Sequence, residues 1–183
     1  MKRSIRDYLV LLLISGSVIG LDQWTKSLVR ASLELGEMWS PWPWLTPYAR
    51  IVHWYNTGSA FGMFQGLGMV FTVLAFVIAG AIIFYYPRVP REEWGLRLAL
   101  GLQLGGAMGN LIDRLTIGHV TDFVSVGTFP VFNVADSSIT VGVGVLLLSM
   151  YLQERAAQKQ SAGQVKQEDP ADAAVQGDAS IEQ

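Results

Sequence analysis

Gly109-Asn-Leu-Ile-Asp-Arg-Leu-Thr-Ile-Gly-His-Val-Thr-Asp-Phe-Val-Ser-Val-Gly-Thr-Phe-Pro-Val-Phe-Asn-Val-Ala-Asp136 is the stretch whose reading decides the fold. It joins two strongly apolar segments, yet Asn110, Asp113, Arg114, His119, Asp122, Asn133 and Asp136 all fall within its 28 residues. Ionisable groups inside or at the edge of a membrane bundle are costly, so such a cluster reads first as a functional site. Gly127 and Pro130 lie between Asp122 and Asp136, and a turn there folds the two carboxylates toward each other.

On the N-terminal side the apolar segment runs from Leu98 to Ile112, with Gly101, Gly105 and Gly109 every four residues. That spacing gives a helix one flat face for close approach of another helix, which is packing rather than chemistry. Before it, Leu67 to Tyr86 is 20 residues without a charge, closed by Pro87; this is the clearest membrane-spanning helix of the chain. On the C-terminal side an apolar run continues from Ile139 to Leu152.

The N-terminus carries Lys2, Arg3 and Arg6 before an uncharged run from Tyr8 to Leu21, followed by Asp22-Gln-Trp-Thr-Lys26. A cleaved signal peptide shares this pattern. A retained helix from about Asp7 to Arg30 is preferred, because no breaker separates the apolar run from its polar continuation. Asp22 and Lys26 then lie one turn apart, with the acid N-terminal as an i,i+4 pair prefers.

Between the first two spans, residues 31–66 hold Pro41, Pro43 and Pro47 among Trp39, Trp42, Trp44, Tyr48 and Trp54. Aromatic side chains at that density belong at a membrane interface. Arg50 to Tyr55 has the composition of a strand, so a small sheet on the bilayer surface is expected.

The fold class is therefore membrane all-α: a four-transmembrane-helix bundle with a small extracytoplasmic β-sheet and a disordered C-terminal tail. Spans are placed at about 8–29, 67–86, 96–114 and 136–154, within one membrane domain over 1–155 of the 183 residues. Residues 156–183 are rich in Gln, Ala, Asp, Glu and Ser and too poor in large apolar groups to bury a core. A hydrophobic content of 51% and a mean hydropathy of +0.34 agree with the membrane class. Nine of the 13 Lys and Arg residues lie before the first span, in the 87–97 connection or after the fourth, so both termini are expected to be cytoplasmic.

A net charge of -2 points away from nucleic acid. The absence of cysteine and the presence of only two histidines, His53 and His119, leave little from which to build a metal centre. No metal, cofactor or obligate protein partner is expected, and membrane lipids are the surroundings.

Asn110, Asp113 and Arg114, three and four residues apart, can share a surface at the outer end of the third span. An amide one turn inside a span needs partners, which favours a site role for Asn110 and Arg114, whereas Asp113 serves equally well as an interfacial anchor. Asp22 reads as a partner of Lys26 or Arg114 that holds the bundle together. Asn133-x-x-Asp136 reads as a helix N-cap with an acid at N3, a role compatible with catalysis. Asp122, between Val120-Thr121 and Phe123-Val124, has no such structural role.

Two carboxylates close together in a poorly solvated site share one proton. The ionised one takes a proton from water and the protonated one donates to a peptide carbonyl, which is aspartic-protease chemistry. A proton-coupled transporter relaying through Asp22, Asp113, Asp122 and Asp136 is the alternative; it needs ionisable groups near the midplane, whereas nearly all of these lie at one end. A serine hydrolase built on His119 with Ser137 or Ser138 lacks a strained, glycine-flanked serine, and a non-catalytic scaffold leaves the aspartate pair unexplained.

Asp22-Gln-Trp-Thr-Lys26, Asn56-Thr-Gly-Ser-Ala-Phe61, Gly109-Asn-Leu-Ile-Asp-Arg114, Val120-Thr-Asp-Phe123 and Phe132-Asn-Val-Ala-Asp136 resemble, in order and spacing, the signature blocks of lipoprotein signal peptidase, or signal peptidase II. The resemblance covers roughly residues 5 to 155. It implies an endopeptidase of the bacterial cytoplasmic (inner) membrane that removes the signal peptide from prolipoproteins, cutting just before a diacylglyceryl-modified cysteine. It implies Asp122 and Asp136 as the catalytic pair, Asn56, Asn110, Arg114 and Asn133 as substrate-binding or dyad-supporting residues, and Asp22 and Lys26 as structural or positioning ones. It also implies an extracytoplasmic sheet that cradles the substrate, and a site on the extracytoplasmic face.

Overall fold

The computed structural model describes residues 2–58 and 67–176. The last part of the Asn56–Phe61 motif, from Ser59 onward, falls outside the described residues. Four helices, α1 (Lys2–Ser32), α2 (Gly68–Tyr85), α3 (Trp94–Thr116) and α4 (Val134–Gln176), account for most of the chain. Three strands, β1 (Met38–Trp39), β2 (Ala49–Asn56) and β3 (Val120–Val126), form one antiparallel sheet in the order β1-β2-β3. The chain divides into two compact units, Met1–Val145 and Leu146–Gln183; the described part of the second is helix.

Among the described residues, two stretches are long and apolar enough to cross a membrane, Gly68–Arg88 and Val134–Gln158. α2 ends at Tyr85, and Pro87 sits in a single 3-10 turn, Tyr86–Arg88, where its missing N–H leaves no helical bond unmade. α1 starts at Lys2, several residues before the expected Asp7. Beyond residue 155 α4 remains helical to Gln176, where composition suggested disorder.

α1 packs along α3 through the glycine stripe. A Cβ built on Gly101 meets Ile14 at 2.7 Å, on Gly105 meets Val18 at 2.6 Å, and on Gly109 meets Asp22 Oδ2 at 2.6 Å. The partners are themselves four apart, so two i±4 rows run side by side at a separation that no side chain on α3 would permit. At the end of α1 remote from Asp22, Asp7 is buried and ion-paired to Arg97 at 2.9 Å and Arg91 at 3.0 Å.

The sheet holds a correction. Sequence reading expected a strand near 50–55 but treated 113–136 as a connecting stretch, whereas Val120–Val126 is β3 and supplies the long partner of β2. The β2–β3 register slips between Ile51 and Trp54, which accommodates two consecutive buried residues, Val52 and His53, as a bulge does.

Candidate active site

Strand register places the first carboxylate. Trp54 lies opposite Asp122 and Asn56 opposite Val120. Trp54, Asn56 and Asp122 therefore share one face of the sheet, with Asn56 diagonal to Asp122. Asn56 Nδ2 donates to Asp122 Oδ2 at 2.8 Å. The chain then reverses through Gly127, at φ +52°, and Phe132 pairs back onto Val124, which lays Asn133 against β3.

Helix capping places the second. Asn133 Oδ1 accepts the Asp136 backbone N–H at 3.0 Å, and the Asn133 N–H donates to Asp136 Oδ2 at 3.3 Å. This is a reciprocal capping box with aspartate at N3, as the Asn-x-x-Asp spacing suggested. Asn133 Nδ2 also donates to Asp122 Oδ1 at 2.6 Å. One fully buried asparagine thus touches both aspartates.

Burial, and then the charge of Asp136, push the Asp122 carboxyl up to about 7, against the opposing hydrogen bonds from Asn56 and Asn133. A carboxyl with that affinity holds a proton near neutral pH while its neighbour is charged, the electrostatics of an acid–base pair. A cavity of about 650 Å³ opens against Asp136, walled in part by Asn56, Phe71, Asn110, Arg114 and Phe132. Its size and largely apolar wall suit an extended, greasy substrate.

A second polar layer lies behind the first. Asp22, Lys26 and Asp113 are essentially unexposed. Lys26 Nζ is 2.8 Å from Asp22 Oδ2 and 3.2 Å from Asp113 Oδ2, and it donates to Asn110 Oδ1 at 2.9 Å. Asn110 Nδ2 in turn donates to Asp136 Oδ1 at 2.8 Å. Asp22 Oδ1 accepts the Ala135 N–H at 2.9 Å, so α1 caps the first turn of α4.

Asp113 departs from the shared surface expected for it with Asn110 and Arg114. Arg114 and Asn110 face the cavity, whereas Asp113 turns to α1 and accepts the Thr121 N–H at 3.0 Å. At 100° per residue Asp113 and Arg114 fall on opposite sides of Asn110, which explains the split. Sequence reading missed Gln23, Arg30 and Thr121. Gln23 Nε2 donates to Asp113 Oδ1 at 3.1 Å and Arg30 Nη1 to Thr121 Oγ1 at 3.0 Å. The i,i+4 step from Lys26 to Arg30 was the available signal.

The His119 ring lies tilted at 39° against Tyr55, centroids 3.8 Å apart, and burial pulls its basicity down. The Ser137 and Ser138 hydroxyls donate to the carbonyls of Asn133 and Ala135, so the serine-hydrolase constellation is not assembled.

Comparison with known proteins gives the family. The family described as Signal peptidase (SPase) II matches residues 14–152. The chain belongs to the signal peptidase II family. It is 44% identical over 149 residues to the lipoprotein signal peptidase of Shouchella clausii, covering 81% of this chain and 94% of the relative. To that of Desulfitobacterium hafniense strain DCB-2 it is 39% identical over 145 residues, covering 79% and 94%. A solved bacterial membrane enzyme, determined by the in meso method at 2.3 Å, superposes with a TM-score of 0.72 at 28% identity, covering 79% of this chain and 88% of that one. As a signal peptidase II the protein is a membrane enzyme and an endopeptidase of aspartic type, and the transporter alternative has no support. Every described block of the resemblance lies inside the matched region, and there Asn133 joins Asp122 to Asp136, which lines the cavity.

Proposed function

We propose that this signal peptidase II removes the signal peptide from diacylglyceryl-modified bacterial prolipoproteins, cutting before the lipid-bearing cysteine, with Asp122 and Asp136 as its catalytic pair. The observation that carries the residue assignment is Asn133, which bonds both carboxylates, one of which, Asp136, lines the apolar cavity. Asp136 takes a proton from water as its oxygen attacks the scissile carbonyl carbon, and Asp122 gives its proton to the carbonyl oxygen. The tetrahedral diol then collapses; its hydroxyl proton returns to Asp122, and the proton on Asp136 passes to the departing amine, which restores the pair. Asn56, Asn110 and Asn133 hold the carboxylates, and Arg114, on the cavity wall, orients the substrate backbone.

The four helices form a four-span bundle, with α1 and α3 crossing the bilayer beside the two apolar spans and both termini in the cytoplasm. α1 and α3 are less apolar because their charges are paired inside. The dyad then lies at the extracytoplasmic ends of the spans, within reach of water, while the signal helix and diacylglyceryl chains of the substrate stay in lipid. Partition of those chains into the bilayer delivers the substrate.

The test is a gel-shift cleavage assay in detergent on a diacylglyceryl-modified prolipoprotein, with Asp122→Asn and Asp136→Asn each checked by thermal melt. Each folded variant is expected to lose cleavage by a factor of about a thousand or more. Near wild-type cleavage by either would make that aspartate a cap or an anchor and move the chemistry elsewhere in 113–138.

A further inference from the structure

Lys26 is fully buried, and an ammonium carries three N–H donors and no acceptor. All three are used, on Asp22 Oδ2 at 2.8 Å, Asp113 Oδ2 at 3.2 Å and Asn110 Oδ1 at 2.9 Å. The third bond has a consequence for the amide it meets. Only the oxygen of Asn110 can face an ammonium, so the amide nitrogen of Asn110 must face the other way. There it meets Asp136 Oδ1 at 2.8 Å. Were the amide turned over, its oxygen would stand against a carboxylate oxygen at that same distance, and its N–H groups would point at a cation.

The constraint passes on. Asn110 Oδ1 also accepts from Asn133 Nδ2 at 3.1 Å, which directs the Asn133 amide nitrogen toward Asp122 and leaves its oxygen for the Asp136 N–H. One charge, buried outside the cavity wall, thus sets the direction of both amides that hold the dyad.

We propose that Lys26 is a positioning residue for peptide cleavage, which fixes the Asn110 carboxamide so that its N–H is always presented to Asp136 and so keeps Asp136 in the form that accepts a proton from water. The inference rests on the assignment of Asp122 and Asp136 as the catalytic pair. It goes beyond a merely structural Lys26, whose work would end at neutralising Asp22 and Asp113 and tying α1 to α3.

Lys26→Met alone leaves two buried carboxylates short of a cation and is expected to unfold. The working variant is therefore Lys26→Met combined with Asp113→Asn. It removes one positive and one negative charge together and keeps an oxygen for the Thr121 N–H; Asp113→Asn alone is its reference. Relative to that reference, the balanced variant should stay cooperatively folded with KM unchanged, melt lower because Asp22 loses its cation, and lose kcat by about ten- to a hundredfold, the scale of a mispositioned group. The acidic limb of its kcat/KM profile should move to higher pH, because Asp136 has lost an assured donor. In an Asn110→Ala background the same change should cost less than about threefold, since the two residues act in series.

Unchanged kcat and pH profile in the balanced variant, or losses that multiply in the Asn110→Ala background, would overturn the positioning role. Asp136→Asn is assayed alongside to separate the two readings. If it cleaves, the dyad assignment falls and this inference with it; if it is inactive while the Lys26 and Asn110 losses multiply, only the inference falls.

Discussion

Asp122 occupies a place where a free aspartate would not stay ionised: in a strand, 1% exposed, beside a second carboxylate. Its affinity for a proton, raised to about 7 from the ordinary 3.8 by burial and then by Asp136, has two measurable consequences. The first concerns cleavage, which needs that proton for the carbonyl oxygen. Above pH 7 kcat/KM should fall about tenfold per unit, and a profile flat to pH 9 would show that Asp122 is not the acid. The second concerns stability. A group bound more tightly to its proton in the folded state contributes stability that is present in full below about pH 4. That contribution is lost as pH rises through 7, in all about 4 kcal/mol. Asp122→Asn cannot ionise, so its melting temperature should fall less than that of wild type between pH 5 and 8. Parallel curves would refute this. At this scale the sequence spoke clearly where a local rule applied: Asn133-x-x-Asp136 dictated its capping box, and the apolar neighbours of Asp122 foretold its burial. The direction of Asp113 was not legible from spacing, because residues three and four beyond Asn110 both qualify as its neighbours, and only the position of α1 decides between them.

The elements hold these residues in place through close backbone approach. Gly105 accepts Val18 against its bare Cα, so Gly105→Ala forces a Cβ to within 2.6 Å of Val18 and 3.0 Å of the Ser15 carbonyl. Gly80 on α2 has nothing within 4 Å of the position its Cβ would take. The same substitution should therefore act with opposite sign. Gly105→Ala is expected to destabilise by about 1–3 kcal/mol through overpacking, and Gly80→Ala to stabilise by up to about 1 kcal/mol through helix propensity. Thermal melts in one detergent decide this, and equal shifts would mean that the α1–α3 stripe is not packed as tightly as the geometry requires. The stripe was legible because a four-residue glycine repeat has little other use in an apolar helix. β3 was not, although Val-Thr-Asp-Phe-Val-Ser-Val is rich in branched residues. Its polar members drew attention as chemistry, and β2, which makes it a strand, is distant in sequence, the bonded Asn56 and Asp122 being 66 residues apart.

For the whole molecule, four spans were expected, and among the described residues two stretches, Gly68–Arg88 and Val134–Gln158, are long and apolar enough to cross a membrane. α1 and α3 carry Asp7, Asp22, Lys26, Arg97, Asn110 and Asp113 inward, all buried and bonded to one another or to the backbone. Hydropathy counts such residues as polar wherever they point, yet a charge paired within protein presents no charge to lipid. These polar pairs also bound what the chain needs for its chemistry. The groups argued to bind, orient or transfer protons run from Asp22 to Asp136, and the apolar length available to the last span ends by Gln158. The family match itself ends at residue 152. A chain terminated after Gln158 keeps every one of these contacts and the full span. It should therefore cleave a lipid-modified prolipoprotein with kcat/KM within about twofold of the full chain, and melt within about two degrees of it, the shift expected for less than about 1 kcal/mol. The decisive comparison is made on purified protein, where insertion and turnover in the cell play no part. A fall of tenfold or more there, with the melt unchanged, would place a functional contact in 159–183 and extend the working enzyme beyond the region read from its motifs.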